Sequence, residues 1–144
     1  MRSMNQPLTP HGPGFRFVDT FERTGSVSGQ AWFSLDPASP YFADHFPGNP
    51  IVPAVLLAEC AAQSAGILWM QDSQKLDTPV FLASIDQFRI VGSVRPGDTL
   101  TTRVELLKEL GALAQFEAEC FVNQQLVARG RFMLSRHLKD ASQP

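Results

Sequence analysis

Residues 51–70 read IVPAVLLAECAAQSAGILWM and carry the strongest fold signal in the chain. The run approaches the length of a membrane span, but Pro53, Glu59 and Gln63 would each be costly in lipid. A helix that is apolar on nearly all sides and carries a few polar groups is typical of a helix buried inside a soluble domain. Pro53 suits the first helical turn, because its fixed φ is helical and its missing N–H needs no partner there. We therefore predict a buried helix from Pro53 to about Met70.

Segments rich in β-forming residues flank this helix on both sides. Upstream, residues 15–22 and 26–34 alternate or nearly alternate around Thr24-Gly25, which predicts a hairpin. The stretch 103–110 has good helical propensity and only its neighbouring threonines favour a strand, so a helix remains an alternative there. Downstream of the helix, strands are predicted at 79–90, 98–110, 114–123 and 125–136, with a short turn at Asn123-Gln124.

This order of elements predicts an α+β fold. A helix that is apolar almost all round needs a surface that covers most of it, and a curved antiparallel sheet of about six strands provides one. We predict a single domain over residues 1–144, with residues 1–14 and 137–144 less ordered. Any side of the helix left uncovered would be hidden by a second copy of the chain, so we expect a homodimer.

Composition narrows the functional classes. The 144 residues are 44% apolar, which is enough for one core without disulfides or metals, and a net charge of −2 gives no basic excess for nucleic-acid binding. The N-terminus lacks the apolar region of a secretory signal, and Cys60 and Cys120 lie in apolar patterns without ligand spacing. We therefore expect a cytoplasmic protein with buried, reduced thiols and no role in a membrane. The chain has no GxSxG, P-loop or dinucleotide GxGxxG motif.

Two side chains are candidate catalytic groups. His45 stands in LDPASPYFADHFPGNP (35–50), where four prolines in sixteen residues predict a rigid loop rather than a regular element. Glu59 falls among apolar neighbours in the helix, and a buried carboxylate is expensive unless it is paired or protonated, which suits an acid. The alternatives are a histidine bonded to a nearby carbonyl, and a glutamate that reaches solvent or is tied in a buried hydrogen bond.

The helix supplies two further candidates. Gln63 lies one turn after Glu59, so its amide can orient the carboxylate. Ala54 lies in the first turn, where free N–H groups and the helix dipole favour developing negative charge, about 7.5 Å from Glu59 along the axis. A base, an acid and oriented amides indicate proton abstraction beside a carbonyl with loss or gain of a β substituent, which requires no metal and no cofactor. His11 and His137 show no partner spacing and are interpreted as incidental.

The sequence resembles the 3-hydroxyacyl-acyl-carrier-protein dehydratases of bacterial fatty-acid synthesis, the FabZ and FabA type with the hot-dog fold. The resemblance covers nearly the whole chain and is densest in HFPGNPIVPAVLLAECAAQ (45–63). Its most specific element is HFPG with an acidic residue fourteen positions after the histidine. The other similar segments are LTPHGPGFRFVD (8–19), 81–100 and 115–134.

The resemblance implies that His45 and Glu59 form the catalytic pair and come from opposite chains of a homodimer, in a family that also forms trimers of dimers. The amide of Ala54 would bind the thioester oxygen. The implied reaction is reversible dehydration of a (3R)-hydroxyacyl thioester, carried by acyl carrier protein or CoA, to the trans-2-enoyl thioester. Other positions implied in the site are Gln63 as carboxylate partner and Phe46, Gly48 and Val55 as substrate-binding residues.

The chain departs from the family pattern at three positions. The family usually has glycine at Ala54, proline at Gly14 and arginine at Thr20, and the Ala54 methyl group would narrow the pocket or weaken the oxyanion contact. Two other functions therefore stay open. One is a hot-dog acyl thioesterase, which uses a helix carboxylate but does not need His45, and the other is a non-catalytic acyl-binding subunit.

Overall fold

A computed structural model describes residues 7–73 and 79–136 of the chain. In this part of the chain, six strands form one antiparallel sheet that packs against a long helix; numbered along the chain, the strands lie in the order 1-2-4-5-6-3 across the sheet. This is the predicted α+β hot-dog architecture. His137 and the rest of the predicted tail 137–144 lie outside the described residues. The elements are a 3₁₀ turn (Pro13–Phe15), β1 (Thr20–Arg23), β2 (Ser28–Ser34), α1 (Tyr41–Asp44), α2 (Ala54–Ser73), β3 (Phe81–Ile90), β4 (Thr99–Leu110), β5 (Leu113–Val122) and β6 (Gln125–Ser135).

Tight turns fix the pairing of the last three strands. Asn123 and Gln124 join β5 to β6 with φ values of 49° and 66°, the two positive values that a type I′ hairpin turn requires. Gly111 turns β4 into β5 with a φ of 61°. Residues 103–110 are paired with β5 along their length, so the strand interpretation of this stretch is correct and the helical alternative is wrong. Strand pairing here outweighs local helical propensity.

The structure differs most from the predicted elements in the first strand, the proline-rich loop and the long helix. The first strand begins at Thr20 rather than at residue 15, because the N–H of Phe17 is bonded to a helix side chain instead of a neighbouring strand. The proline-rich loop contains one helical turn, α1, where it was predicted to be irregular. Helix α2 begins one residue after Pro53 and continues to Ser73.

The chain's own elements enclose the long helix. Every residue from Cys60 to Met70 is buried. On one side α2 contacts the inner face of β4–β6, with Trp69 in the same cluster as Phe116. The N-terminal segment covers another side, since Val18 packs with the middle of the helix. This sheet and this segment therefore cover α2 from Cys60 to Met70, whereas Ala54 and Val55 at its start are exposed. The expected homodimer stays a prediction.

Residues 7–14 belong to the covering of the helix. Thr9 is 2% exposed, and the segment runs onto the 3₁₀ turn at Pro13–Phe15. Residues 1–6 of the segment 1–14 that was predicted to be less ordered lie outside the described residues, and lower order of residues 7–14 stays a prediction. Within the described ranges, none of the helices has the length and apolar character needed to cross a membrane.

Strand β3 carries an exposed apolar surface at the end of the sheet. Leu82, Ile85 and Ile90 are 39%, 50% and 43% exposed, and Val91 just beyond them is 59% exposed. An edge strand also presents unpaired backbone N–H and C=O groups. Apolar side chains beside such an edge are typical of a surface that meets another chain.

Candidate active site

A tight turn holds the loop that carries His45. The N–H of Phe46 donates to the carbonyl of Asn49 at 3.0 Å, and the N–H of Asn49 donates back at 2.9 Å. Gly48, third in this turn after a proline, has a φ of 74°, as a type II turn requires. Arg95, in the loop between β3 and β4, holds the turn from outside, since its Nη1 donates to the side-chain oxygen of Asn49 at 3.0 Å. The loop is therefore fixed by hydrogen bonds within its own backbone and by the bond from Arg95 to the Asn49 side chain.

The hydrogen bonds of His45 define which ring nitrogen can act as a base. Its Nδ1 lies 3.0 Å from the carbonyl oxygen of Ile51, whose N–H donates to the backbone carbonyl of His45 at 2.9 Å. A carbonyl oxygen can only accept, so Nδ1 carries the proton. In the neutral ring Nε2 is then free to take a proton. The carbonyl-bonded histidine that the sequence left as an alternative is thus present, and this bond prepares the ring as a base.

The neighbouring ring and turn lie at the surface of the chain. The Phe46 ring stacks on the His45 ring with a centroid distance of 4.2 Å and is half exposed. Gly48 is also exposed. Both lie beside His45, and their role in binding substrate stays a prediction.

The start of α2 presents free amides. The N–H of Leu56 already donates to the carbonyl of Pro53 at 2.9 Å. The amides of Ala54 and Val55 make no hydrogen bond within the described part of the chain, as expected for the first helical turn. Both residues are exposed, Val55 by 74%. The helix start can therefore receive a developing negative charge.

Gln63 links the Glu59 carboxylate to the N-terminal segment. Its Nε2 donates to Glu59 Oε1 at 3.0 Å and to the carbonyl of Phe15 at 3.0 Å, and its Oε1 accepts the N–H of Phe17 at 2.9 Å. All three partners agree with one orientation of the amide, which leaves no donor of that group unused. The contact between Gln63 and Glu59 is the one that their spacing predicted.

Glu59 lies at the side of a cleft rather than in a sealed core. Its side chain is 23% exposed. The cleft holds about 360 Å³ including its open mouth. Its polar wall comes from Thr9, His11, Glu59 and Gln63, and its apolar wall includes Met70, Val80 and Leu82. A carboxylate beside an apolar cleft of this kind suits an acid acting on an acyl chain.

His11 is a site residue that the sequence interpretation missed. Its Nε2 lies 3.5 Å from Glu59 Oε1, and its side chain is 30% exposed. Nothing in the spacing of His11 and Glu59 along the chain relates them, and the histidine was interpreted as incidental for that reason. The available signal was its position inside LTPHGPGFRFVD, the segment that shares the family resemblance.

The structure does not bring the predicted catalytic pair together within one chain. Among the described residues, no hydrogen bond or ion pair joins His45 to Glu59. His45 is also not among the residues that line the Glu59 cleft. Each half of the pair is held by hydrogen bonds of its own, to Ile51 for His45 and to Gln63 for Glu59.

The two cysteines are not candidates for a nucleophile. Both are free and buried. Burial raises the pKa of Cys60 well above its usual range and raises the pKa of Cys120 to about 11. A thiol in such surroundings stays protonated and inert. The residues that the structure describes also contain no group of three or more histidine, cysteine, aspartate or glutamate side chains able to hold a metal.

Comparisons with known proteins agree with this geometry. The 3-hydroxyacyl-acyl-carrier-protein dehydratase FabZ of Syntrophobacter fumaroxidans is 34% identical over 125 residues, covering 86% of this chain and 85% of the relative. The FabZ of Dechloromonas aromatica is 34% identical over 131 residues, covering 88% and 91%. The solved structure of the dehydratase heterocomplex ApeI:P from Xenorhabdus doucetiae superposes with a TM-score of 0.77 at 18% identity, covering 92% of this chain and 90% of that one.

The family model of the FabA-like domain matches residues 9–131, which include His11, the HFPG loop, all of α2 and most of the sheet. Together with the relatives that are about a third identical over most of their length, this match identifies the family. The chain belongs to the FabA-like family.

Proposed function

We propose that this chain is a 3-hydroxyacyl-acyl-carrier-protein dehydratase, which converts (3R)-3-hydroxyacyl thioesters reversibly to trans-2-enoyl thioesters. The FabZ relatives, about 34% identical over most of the chain, support this reaction. The structural observation that carries it is the hydrogen bond from His45 Nδ1 to the Ile51 carbonyl, because it leaves Nε2 as a base. We infer acyl carrier protein as the natural carrier of the substrate and CoA thioesters as its surrogate.

The proposed reaction moves two protons, one from C2 of the substrate to His45 and one from Glu59 to the hydroxyl group at C3. His45 Nε2 takes the proton from C2, and the electron pair of that C–H bond forms the C2–C3 double bond. Glu59, in its protonated form, gives its proton to the hydroxyl group at C3, which leaves as water. The amides at Ala54 and Val55 stabilise the negative charge on the thioester oxygen. Proton exchange with solvent then restores His45 and Glu59.

We also propose that two copies of the chain complete the site as a homodimer. The support is that His45 and Glu59 make no contact within the described part of one chain, and that the β3 edge carries exposed apolar side chains. Pairing of two such edges would satisfy the backbone groups and bury that surface. Larger assemblies such as a trimer of dimers are compatible with the same pairing. The two free, buried cysteines favour a cytoplasmic location.

Ala54 favours a second candidate function, a non-catalytic acyl-binding subunit. Its methyl group lies at the exposed start of α2, where a glycine would leave the amide fully open. If this methyl group blocks the oxyanion contact, the chain would bind an acyl group without turning it over. The variant Ala54→Gly tests this directly, because it should then restore turnover to an inactive wild-type protein.

The deciding experiment follows the purified protein with crotonyl thioester. We expect hydration of the double bond, and we expect His45→Ala and Glu59→Gln each to lose about 10² to 10⁴-fold in rate. Glu22→Gln is the matched control, since Glu22 is an exposed carboxylate on β1. Release of free thiol without loss of the double bond would instead favour a thioesterase. Absence of both reactions with short and long acyl chains would favour the binding subunit.

A further inference from the structure

We propose that His11 is a positioning residue for Glu59, which holds one carboxylate oxygen so that the other faces the substrate. The inference extends the proposed dehydratase and rests on it for the kinetic part of its test. It starts from the distance of 3.5 Å between His11 Nε2 and Glu59 Oε1, at the wall of the cleft.

The segment that carries His11 is fixed to the same helix as Glu59. The backbone carbonyl of His11 accepts a hydrogen bond from Arg16 Nη2 at 2.7 Å. Phe15 is the last residue of the 3₁₀ turn, and its carbonyl accepts a hydrogen bond from the Gln63 side chain. Two residues later, the N–H of Phe17 donates to the same side chain. His11 therefore approaches Glu59 from a segment anchored one helical turn away, and its position relative to the carboxylate is defined.

The two oxygens of Glu59 have different surroundings. Oε1 receives the Gln63 amide at 3.0 Å and lies near His11 Nε2. Oε2 has no hydrogen-bond partner among the described residues. The Gln63 hydrogen bond to Oε1, with His11 Nε2 beside the same oxygen, restricts rotation of the carboxyl group. The structure thus assigns Oε2 as the oxygen that holds the proton and meets the leaving hydroxyl.

The other ring nitrogen of His11 indicates where its proton lies. His11 Nδ1 is buried and has no hydrogen-bond partner among the described residues. A proton on Nδ1 would leave a buried N–H without a partner, which costs more than an unpaired acceptor. The single proton of the neutral ring therefore lies on Nε2, toward the carboxylate. The distance of 3.5 Å is long for a hydrogen bond, as is common for catalytic contacts in the absence of substrate.

Replacing His11 separates a positioning role from a packing role. His11→Leu fills the space without a donor, whereas His11→Gln places an amide N–H near the position of Nε2. We expect His11→Leu to lower kcat about 10- to 100-fold with little change in KM, and His11→Gln to recover most of that loss. Val27→Leu, a change in an exposed side chain between β1 and β2, is the control and should stay near the wild-type rate.

A double-mutant cycle tests whether His11 acts through Glu59. In the Glu59→Gln background, adding His11→Leu should change the rate by less than about 2-fold. Full additivity of the two losses would overturn the proposal. So would equal rates for His11→Leu and His11→Gln in proteins whose melting temperatures match the wild type.

A readout that needs no turnover keeps this test separate from the proposed reaction. With ¹³C-labelled glutamate, the Glu59 carboxyl signal is identified by its loss in Glu59→Gln. We expect this signal to shift in His11→Leu and to return toward its wild-type position in His11→Gln. An unchanged signal in His11→Leu would overturn the positioning role. Absence of hydration by the wild-type protein would count against the dehydratase and leave this spectroscopic result decisive for His11.

Discussion

Replacing Gln63 by methionine should loosen the N-terminal segment and disable Glu59 together. Methionine has a similar length and fits the apolar surroundings, but it cannot replace the three hydrogen bonds of the Gln63 amide. The N–H of Phe17 would be left unpaired in a residue that is only 6% exposed. The carbonyl of Phe15 and the carboxylate of Glu59 can still reach water, so their loss should cost less.

The expected loss follows from these contacts. An unpaired buried N–H costs about 1 to 3 kcal/mol, and each of the other two lost bonds contributes about 0.5 kcal/mol because its partner can still reach water. We therefore expect Gln63→Met to lower the free energy of unfolding by about 2 to 4 kcal/mol. For a chain of this size, that corresponds to a fall in melting temperature of roughly 6 to 15 °C.

Urea denaturation at a fixed protein concentration measures the effect, because an oligomer's stability depends on concentration. Ser64→Ala is the matched control on the same buried stretch of α2, since Ser64 donates only to the Cys60 carbonyl within the helix. It should cost less than about 1 kcal/mol. The crotonyl hydration rate of Gln63→Met should also fall. If Gln63→Met is no less stable than Ser64→Ala, Gln63 does not anchor the segment and the reasoning is refuted.

Two other predictions concern the buried thiol of Cys120 and the hydrogen bond from Arg95 to Asn49. Burial raises the pKa of Cys120 from 9.0 to about 11, so the unfolded chain loses the thiol proton first and stability should fall by roughly 2 kcal/mol as pH rises from 9 to 11. Urea denaturation at about pH 8 and about pH 11 should show a smaller loss in Cys120→Ala, and an equal loss would contradict this. Arg95→Ala releases the Asn49 side chain and should lower the hydration rate about 10-fold with less than about 1 kcal/mol of destabilisation. Arg103→Ala, which removes a surface contact to Gln30, is its control, and equal rates in the two variants would rule out a clamping role for Arg95.

The elements with a regular pattern were predictable from the sequence. The apolar run of α2 and the alternation of β5 each reflect a periodic surface that the fold buries. The turn at Asn123-Gln124 was also predictable, because asparagine tolerates the positive φ of a hairpin turn. Local patterns of this kind depend on neighbours within a few residues.

The features that the sequence did not predict depend on contacts between distant parts of the chain. Phe17 fits a strand pattern, but its N–H is bonded to Gln63, 46 residues away, so no strand forms there. His11 meets Glu59 only because that bond holds the N-terminal segment against α2. The apolar residues of β3 predicted a strand but gave no indication that they lie exposed at the sheet edge. Periodicity reports that a side chain favours burial, and it does not report which surface covers it.

Mixing two inactive variants tests the shared dehydratase site most directly. His45→Ala and Glu59→Gln should each be nearly inactive alone, whereas subunit exchange between them should form mixed dimers that hold one intact His45–Glu59 pair. With equal amounts and random exchange, the account predicts recovery of about a quarter of the wild-type hydration rate. No recovery, in a mixture where mass spectrometry of differently tagged chains demonstrates mixed dimers, would contradict a site shared between two chains.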